Sequence, residues 1–218
     1  MKIALSRMHF PVTTLGPGER VGLWFQGCSI RCPGCISMDT WAFNKNLVNI
    51  SEVFELLESW LPTADGITIT GGEPFDQFHQ LKEILRFVQN FDHINSFVYS
   101  GYEQEELANQ LKKLNGLIDI IMTGPLDISY SQSKPLRGSD NQRLSSLTSV
   151  GVALLNQINE SPTNLSQLNV AFDGETTWIA GVPKRYDISR AIQIINADGI
   201  DARSMEGKKS TTSSHDIN

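Results

Sequence analysis

Cys28, Cys32 and Cys35 fall in the run Gln26-Gly27-Cys28-Ser29-Ile30-Arg31-Cys32-Pro33-Gly34-Cys35, a C-x3-C-x2-C spacing that holds all three cysteines of the chain. Thiolates this close together can wrap one metal centre, and soft sulfur ligands favour iron–sulfur clusters, zinc or copper(I). A [4Fe–4S] cluster takes one cysteine per iron, commonly four in all. Three cysteines leave one iron without a protein ligand, and metal sites that perform chemistry keep such a position open for substrate. A structural zinc site instead wants four closed ligands, typically in two separated pairs. There is no fourth cysteine, and the nearest histidine, His9, lies nineteen residues upstream of Cys28.

Other stretches could serve a ligand. Gly71-Gly72-Glu73-Pro74 pairs two glycines, which let a ligand approach the backbone closely, with an acid and a proline. Read conservatively, it is a strand-to-helix turn. Ser100-Gly101 and Thr123-Gly124 follow two further apolar runs, and Ser100-Gly101 reads equally well as a plain loop with an N-cap. Arg137-Gly138-Ser139-Asp140-Asn141-Gln142 is a polar stretch outside any expected element and reads on its own as a solvated loop. Trp24 and Trp41 read as core residues. His9, His79 and His93 are scattered, and nothing identifies a general base.

The elements that must position these residues alternate between short apolar runs and amphipathic helices, the signature of βα units and a mostly parallel sheet. Expected strands are Val21–Phe25, Gly66–Thr70, Ser96–Ser100 and Leu117–Met122. Expected helices run from an N-cap at Ser51 to Trp60, from Gln77 to Gln89 and from Glu103 to Leu114. The candidate motifs all follow strand ends, where chemistry collects in barrel and open α/β folds. Asp127 to Asn141 reads as a long ordered loop, and Val150 to Ile158 as a possible helix. Asp173-Gly174-Glu175 between two apolar alternations signals a hairpin, and Asp187 to Ala197 suits a last helix. The organisation expected is a core over 1–147, an extension over 148–202 packed on it, and a disordered tail over 203–218.

Bulk properties narrow the function classes. Forty per cent hydrophobic residues suffice for a core, and 18 Lys and Arg against 24 Asp and Glu give a net charge of −6. No basic cluster suggests nucleic acid as a partner. No apolar run approaches the ~20 residues of a membrane helix, and the N-terminus lacks the apolar region of a signal peptide. An odd number of closely spaced cysteines argues against a disulfide scaffold and for a reducing, cytoplasmic compartment.

The cysteine spacing followed by Thr70-Gly71-Gly72-Glu73-Pro74 resembles the radical S-adenosylmethionine superfamily. Gly16-Pro17-Gly18-Glu19-Arg20, Cys32-Pro33-Gly34-Cys35, Thr40-Trp41, Ser100-Gly101-Tyr102 and Arg137–Gln142, in that order, narrow the resemblance to the activating enzymes of anaerobic (class III) ribonucleotide reductases. The likeness runs from about Met1 to Leu147, with a weaker echo to about Ile200. It implies a partial (βα) barrel carrying a small C-terminal hairpin and helix extension. It implies a [4Fe–4S] cluster held by Cys28, Cys32 and Cys35, with S-adenosylmethionine on the open iron. It assigns cofactor contacts to Gly34, Ile36, Gly71, Gly72, Glu73, Pro74, Ser100, Gly101 and Thr123, the Gly71–Pro74 turn meeting the methionine ammonium. No further catalytic residue is implied, because the cofactor does the hard chemistry. The implied reaction reductively cleaves S-adenosylmethionine to a 5′-deoxyadenosyl radical, which makes a glycyl radical on a partner reductase. An external one-electron donor such as flavodoxin would supply the electron. Thr123 departs from the Asp usual in similar activases. That departure keeps a small-molecule or peptide substrate open as the alternative, beside a non-enzymatic metal-binding module.

Overall fold

The computed structural model describes residues 1–160, 168–172, 177–184 and 187–197. A seven-stranded sheet has the order β3-β1-β2-β4-β5-β6-β7. Its centre is formed by β2 (Arg20–Phe25), β4 (Gly66–Gly71), β5 (Asn95–Tyr99) and β6 (Ile120–Thr123), mutually parallel. The flanks are antiparallel: β1 (Lys2–Val12) lies between β2 and β3 (Leu47–Asn49), and β7 (Arg143–Ser146) pairs with β6. The fold is therefore mixed α/β with a mostly parallel sheet. All four expected strands form. The antiparallel strands β1, β3 and β7 are additions to the sequence reading.

Both faces of the centre are covered, as parallel strands require. Leu23 and Phe25 of β2, Ile67 and Ile69 of β4 and Val98 of β5 meet Val53 and Leu57 of α1 (Ile50–Trp60) and Leu81, Ile84, Leu85 and Val88 of α2 (Phe78–Val88). The alternate residues point the other way. Phe97, Ile120 and Met122 pack with Ile158, Leu154 and Leu155 of α4 (Ser149–Glu160). Val12, Leu15 and Trp24 pack with Ala180 and Val182 beside the two-stranded pair β8 (Leu168–Phe172) and β9 (Thr177–Gly181). The Asn169 side chain accepts from the Thr13 N–H at 2.8 Å and the Thr14 hydroxyl at 2.9 Å, fastening this ribbon to the end of β1. The C-terminal segments thus roof the second face of the sheet. A last helix, α5 (Asp187–Ala197), follows where the sequence reading put one.

Two helix boundaries differ from expectation. The N-cap of α1 is Asn49, whose amide reaches Glu52 at 2.8 Å, so Ser51 lies inside the helix. The helix α3 spans only Ala108–Lys113. Upstream of it, the Glu106 carboxylate accepts the Glu103 N–H at 2.7 Å and the chain closes tight turns instead of continuous helix. The expected Asp173-Gly174-Glu175 turn and the 203–218 tail lie outside the described residues. Among the described residues no helix is long and apolar enough to cross a membrane.

A buried cation fixes the far end of the sheet. Arg20 is 0% exposed, and its guanidinium donates to Thr68 Oγ1, the carbonyls of Pro17, Ile67 and Asn95, and Asn95 Oδ1. Burial lowers its pKa to about 10. Gly66 makes the room, since a Cβ there would sit 2.4 Å from Arg20 Nη1. The Gly16–Arg20 motif is thus a structural anchor at the N-terminal end of the parallel strands.

Candidate active site

Because β2, β4, β5 and β6 are parallel, the loops after Phe25, Gly71, Tyr99 and Thr123 leave from the same edge of the sheet. Register brings the first two together: Phe25 lies opposite Gly71. The Gly72 N–H donates to the Phe25 carbonyl and the Glu73 N–H to the Gly27 carbonyl, both at 2.8 Å. No side chain fits in this seam. Gly71 has φ +105°, and a Cβ on Gly72 would come within 2.1 Å of Gly27 O. The double glycine is therefore needed to dock one loop on the other, whatever else approaches it.

Glu73 ties in the third strand. It is 1% exposed, its Oε1 accepts from Phe75 N–H at 3.0 Å and Ser100 Oγ at 2.9 Å, and its Oε2 accepts from Gly101 N–H at 2.8 Å. Burial pushes its pKa up to about 7, against the opposing pull of these three donors. Its carboxylate is turned inward as a staple between two rim loops. Pro74 beside it is buried and opens the 3-10 turn Pro74–Gln77.

The cysteine loop is held along its length by backbone bonds. Gly27 N–H donates to Thr40 O at 2.6 Å, Cys28 N–H to Trp41 O at 3.2 Å, and Cys35 N–H to Cys32 O at 3.2 Å. The Gln77 amide spans the loop's root, accepting from Ala4 N–H and donating to Gln26 O at 3.0 Å. Gly34, at φ +81°, leaves room for Ile128, which a Cβ would meet at 2.7 Å. Ile36 is exposed one residue beyond Cys35.

Cys28 is buried, Cys32 and Cys35 are half-buried, and all three are free thiols. Burial is the largest influence on each and raises its pKa, which in Cys35 is opposed by the Ser37 N–H, 3.4 Å from the sulfur. Among the described residues, no three His, Cys, Asp or Glu side chains converge as a single metal ion would require. A lone zinc needs all its donors in one tetrahedron, whereas a cluster takes each cysteine on a different iron. Three free thiols on one ordered loop, with no fourth cysteine in the chain, suit the second demand better than the first.

The fourth strand end is less open. Thr123 is fully buried, and its hydroxyl lies 3.5 Å from the Arg143 carbonyl on β7. Gly124 N–H donates to Tyr102 O, and Ser100 N–H to Met122 O, so the third and fourth loops are also joined. The Arg137–Gln142 stretch braces this corner: Gln142 Nε2 donates to Gly124 O at 3.0 Å and Asn141 Nδ2 to Pro125 O at 2.9 Å. Asp140 gathers the Ser131 and Ser133 hydroxyls and the N–H groups of Ser133 and Lys134. Trp24 is core, as expected, whereas Trp41 sits against the cysteine loop.

Sequence reading missed a second clamp. Asp76 accepts from the Ser29 N–H at 2.8 Å, the Ser29 hydroxyl at 3.0 Å and the Tyr102 hydroxyl at 2.8 Å. One carboxylate thereby joins the cysteine loop, the turn after β4 and the loop after β5. The only signal available was the residues' proximity to motifs, since their separations in sequence follow no local pattern.

Residues 14–145 match the family described as a 4Fe-4S single cluster domain. The anaerobic ribonucleoside-triphosphate reductase-activating protein of Enterobacteria phage T4 is 34% identical over 138 residues, covering 61% of this chain and 87% of that protein. The protein of the same name from Salmonella typhi is 30% identical over 146 residues, covering 62% and 93%. That of Escherichia coli K12 is 27% identical over 144 residues, covering 62% and 93%.

Proposed function

As the chain belongs to the family of anaerobic ribonucleoside-triphosphate reductase-activating proteins, built on a single-cluster 4Fe-4S domain, we propose that it is a radical S-adenosylmethionine enzyme that activates such a reductase. The observation that carries this reading is the convergence of three free thiols and three strand-end loops on one sheet edge, with no fourth cysteine to close the site.

In this reading Cys28, Cys32 and Cys35 hold the cluster. A [4Fe–4S] cluster held there with S-adenosylmethionine would supply the reductive one-electron chemistry that generates a glycyl radical on the partner. The chain's own residues hold and screen. Gly71 and Gly72 keep the loops at backbone contact, Glu73 fixes Ser100 and Gly101, and Asp76 fixes Ser29 and Tyr102. Gly34 and Ile36 offer backbone for the adenine, and Gly71–Pro74, Ser100, Gly101 and Thr123 complete the cofactor's surroundings. The parallel centre with its roof of C-terminal segments is read as the partial barrel of the superfamily, with 1–147 as core and 148–202 as extension. The partner is the anaerobic reductase, and a flavodoxin-like protein in the same reducing cytoplasm supplies the electron.

The test is anaerobic reconstitution with iron and sulfide, then reduction with dithionite and addition of S-adenosylmethionine. The protein is expected to show iron–sulfur absorbance, to release 5′-deoxyadenosine, and to raise a glycyl EPR doublet on the cognate reductase. Cys28→Ala, Cys32→Ala and Cys35→Ala should each abolish all three. Release of 5′-deoxyadenosine without a glycyl signal on that reductase would refute the partner and keep the chemistry.

A further inference from the structure

Arg31 stands inside the cysteine loop, between Cys28 and Cys32, in a backbone conformation that its side chain disfavours. Its φ is +53°, the left-handed region that glycine and asparagine enter readily and other residues rarely. The residues before it explain why the strain persists. Ser29 is fixed to Asp76 by its N–H at 2.8 Å and its hydroxyl at 3.0 Å. Ile30 lies so close to Gly101 that a Cβ there would meet Ile30 Cδ1 at 2.7 Å. With that segment docked on the third loop, the chain has to turn at Arg31 to reach Cys32. A glycine would make this turn without strain, so the turn alone does not account for an arginine.

The side chain gives a reason. Arg31 Nε donates to the Cys28 carbonyl at 3.3 Å, which draws the guanidinium back toward the first cysteine while the residue stays exposed. From Gln26 to Ala42 the only other charged side chain is Asp39, and Asp39 is paired with Arg7 at 2.6 Å. Among the described residues Arg31 forms no ion pair of its own. The loop that carries three thiols thus holds one cation, tethered to the residue of the first thiol and matched by no carboxylate.

We propose that Arg31 tunes the cluster's reduction potential by its charge, making the potential less negative than the loop would otherwise give. This rests on the reading of Cys28, Cys32 and Cys35 as cluster ligands. Reduction adds one electron to thiolate-bound iron, and a cation held nearby lowers the cost of that electron by Coulomb attraction. Net charge and solvent exposure are among the features that set such potentials. Because Arg31 is exposed, its attraction is screened by salt, whereas a packing effect is not. The left-handed turn is then tolerated because it brings a cation to the first ligand.

The experiment compares wild type with Arg31→Lys, Arg31→Gln and Arg31→Gly, each reconstituted anaerobically and checked for iron and sulfide content. Midpoint potentials are read by EPR-monitored redox titration at about 0.05 M and about 1 M NaCl. At low salt, Arg31→Gln and Arg31→Gly are expected to lower the reduced-to-oxidised ratio at fixed applied potential about two- to fivefold. That corresponds to a midpoint more negative by roughly 20–40 mV at 59 mV per tenfold for one electron. These two variants differ in backbone strain, so a shift common to both marks the lost charge. Arg31→Lys keeps a cation and should stay close to wild type. At high salt the difference should shrink at least about twofold. Loaded Arg31→Gln and Arg31→Gly with wild-type midpoints overturn the inference and leave the cluster assignment intact. A shift that Arg31→Lys shares in full, or that salt leaves unchanged, overturns it equally. If no variant loads, Arg31 is needed to build the loop, and the inference is likewise overturned. Wild-type protein that takes up no cluster would bring down the cluster reading itself, a result distinct from these.

Discussion

The carboxyl of Glu73 offers a quantitative check on the site. Its three hydrogen-bond partners are all donors, yet burial dominates and raises its pKa from 4.5 to about 7. A folded-state pKa above the unfolded one means that the folded protein binds more protons between the two values, so stability is greatest below pH 4.5 and falls as pH rises through 7. At 1.36 kcal/mol per unit, integrating between pH 5 and pH 8 gives a loss of roughly 2–3 kcal/mol from this one group.

Glu73→Gln replaces the carboxyl by a neutral group of the same shape. Its NH2 must face either the Gly101 N–H or the Phe75 and Ser100 donors, the same conflict that a protonated carboxyl meets. The variant should therefore match wild type to within about 1 kcal/mol at pH 5. By pH 8 it should have gained roughly 2–3 kcal/mol relative to wild type, because it never ionises. Urea unfolding of the reduced, metal-free proteins at pH 5, 6, 7 and 8 measures the difference directly. Parallel curves, with a swing below ~0.5 kcal/mol, would refute the reasoning. A swing in the opposite sense would show that the three donors outweigh burial.

Other outcomes follow from the same geometry. Gly72→Ala must drive a methyl into the Gly27 carbonyl, where backbone cannot yield cheaply. A loss of about 3 kcal/mol is expected, seen as a fall in Tm of roughly 6–12 °C, and an unchanged melt would refute the close docking. Asp76→Asn leaves the Ser29 and Tyr102 donors without an anionic acceptor. The clamp should weaken by about 1–2 kcal/mol, with faster amide exchange at Ser29 and slower cluster uptake; unchanged exchange would refute it. Asp140→Asn should speed proteolysis between 127 and 142. The hydroxyls of Ser131 and Ser133 hold the Asp140 pKa below its ordinary value, so in wild type this ordering is present above pH 3.8 and is lost only as pH falls through the lower folded value. Equal cleavage rates for the two proteins at pH 7 would remove Asp140 from this role.

What the sequence revealed and what it concealed divide along the range of the interactions. The parallel centre was readable because strands covered on both faces are short continuous apolar runs, such as Val21–Phe25, bounded by glycine turns. The cysteine loop was readable because its ligands lie within eight residues. By contrast, β1 carries Arg7 and His9 and two register shifts against β2, which blur any period-2 pattern, and β7 is the polar run Arg143–Ser146. These strands exist because a neighbour offers a hydrogen-bonding edge, which no local propensity records.

The site shows the same division, with a functional consequence. Reading Glu73 as a ligand contact was natural, since an acid after two glycines looks aimed at a ligand. In the structure both carboxylate oxygens accept hydrogen bonds, from Phe75, Ser100 and Gly101. Asp76, one turn further, does the same for Ser29 and Tyr102. Two successive acids thus hold three loops whose separate backbones face the rim. A sulfonium cofactor with an ammonium, a carboxylate and an adenine needs partners from several loops at once. Preorganisation of those loops must come from charges that do not themselves touch it. On this argument, neutralising Asp76 should impair cofactor binding as a loosening of all three loops together, whereas Thr123→Val, which removes only a hydroxyl turned toward Arg143, should leave binding within about twofold of wild type. A binding defect confined to Thr123→Val would contradict it.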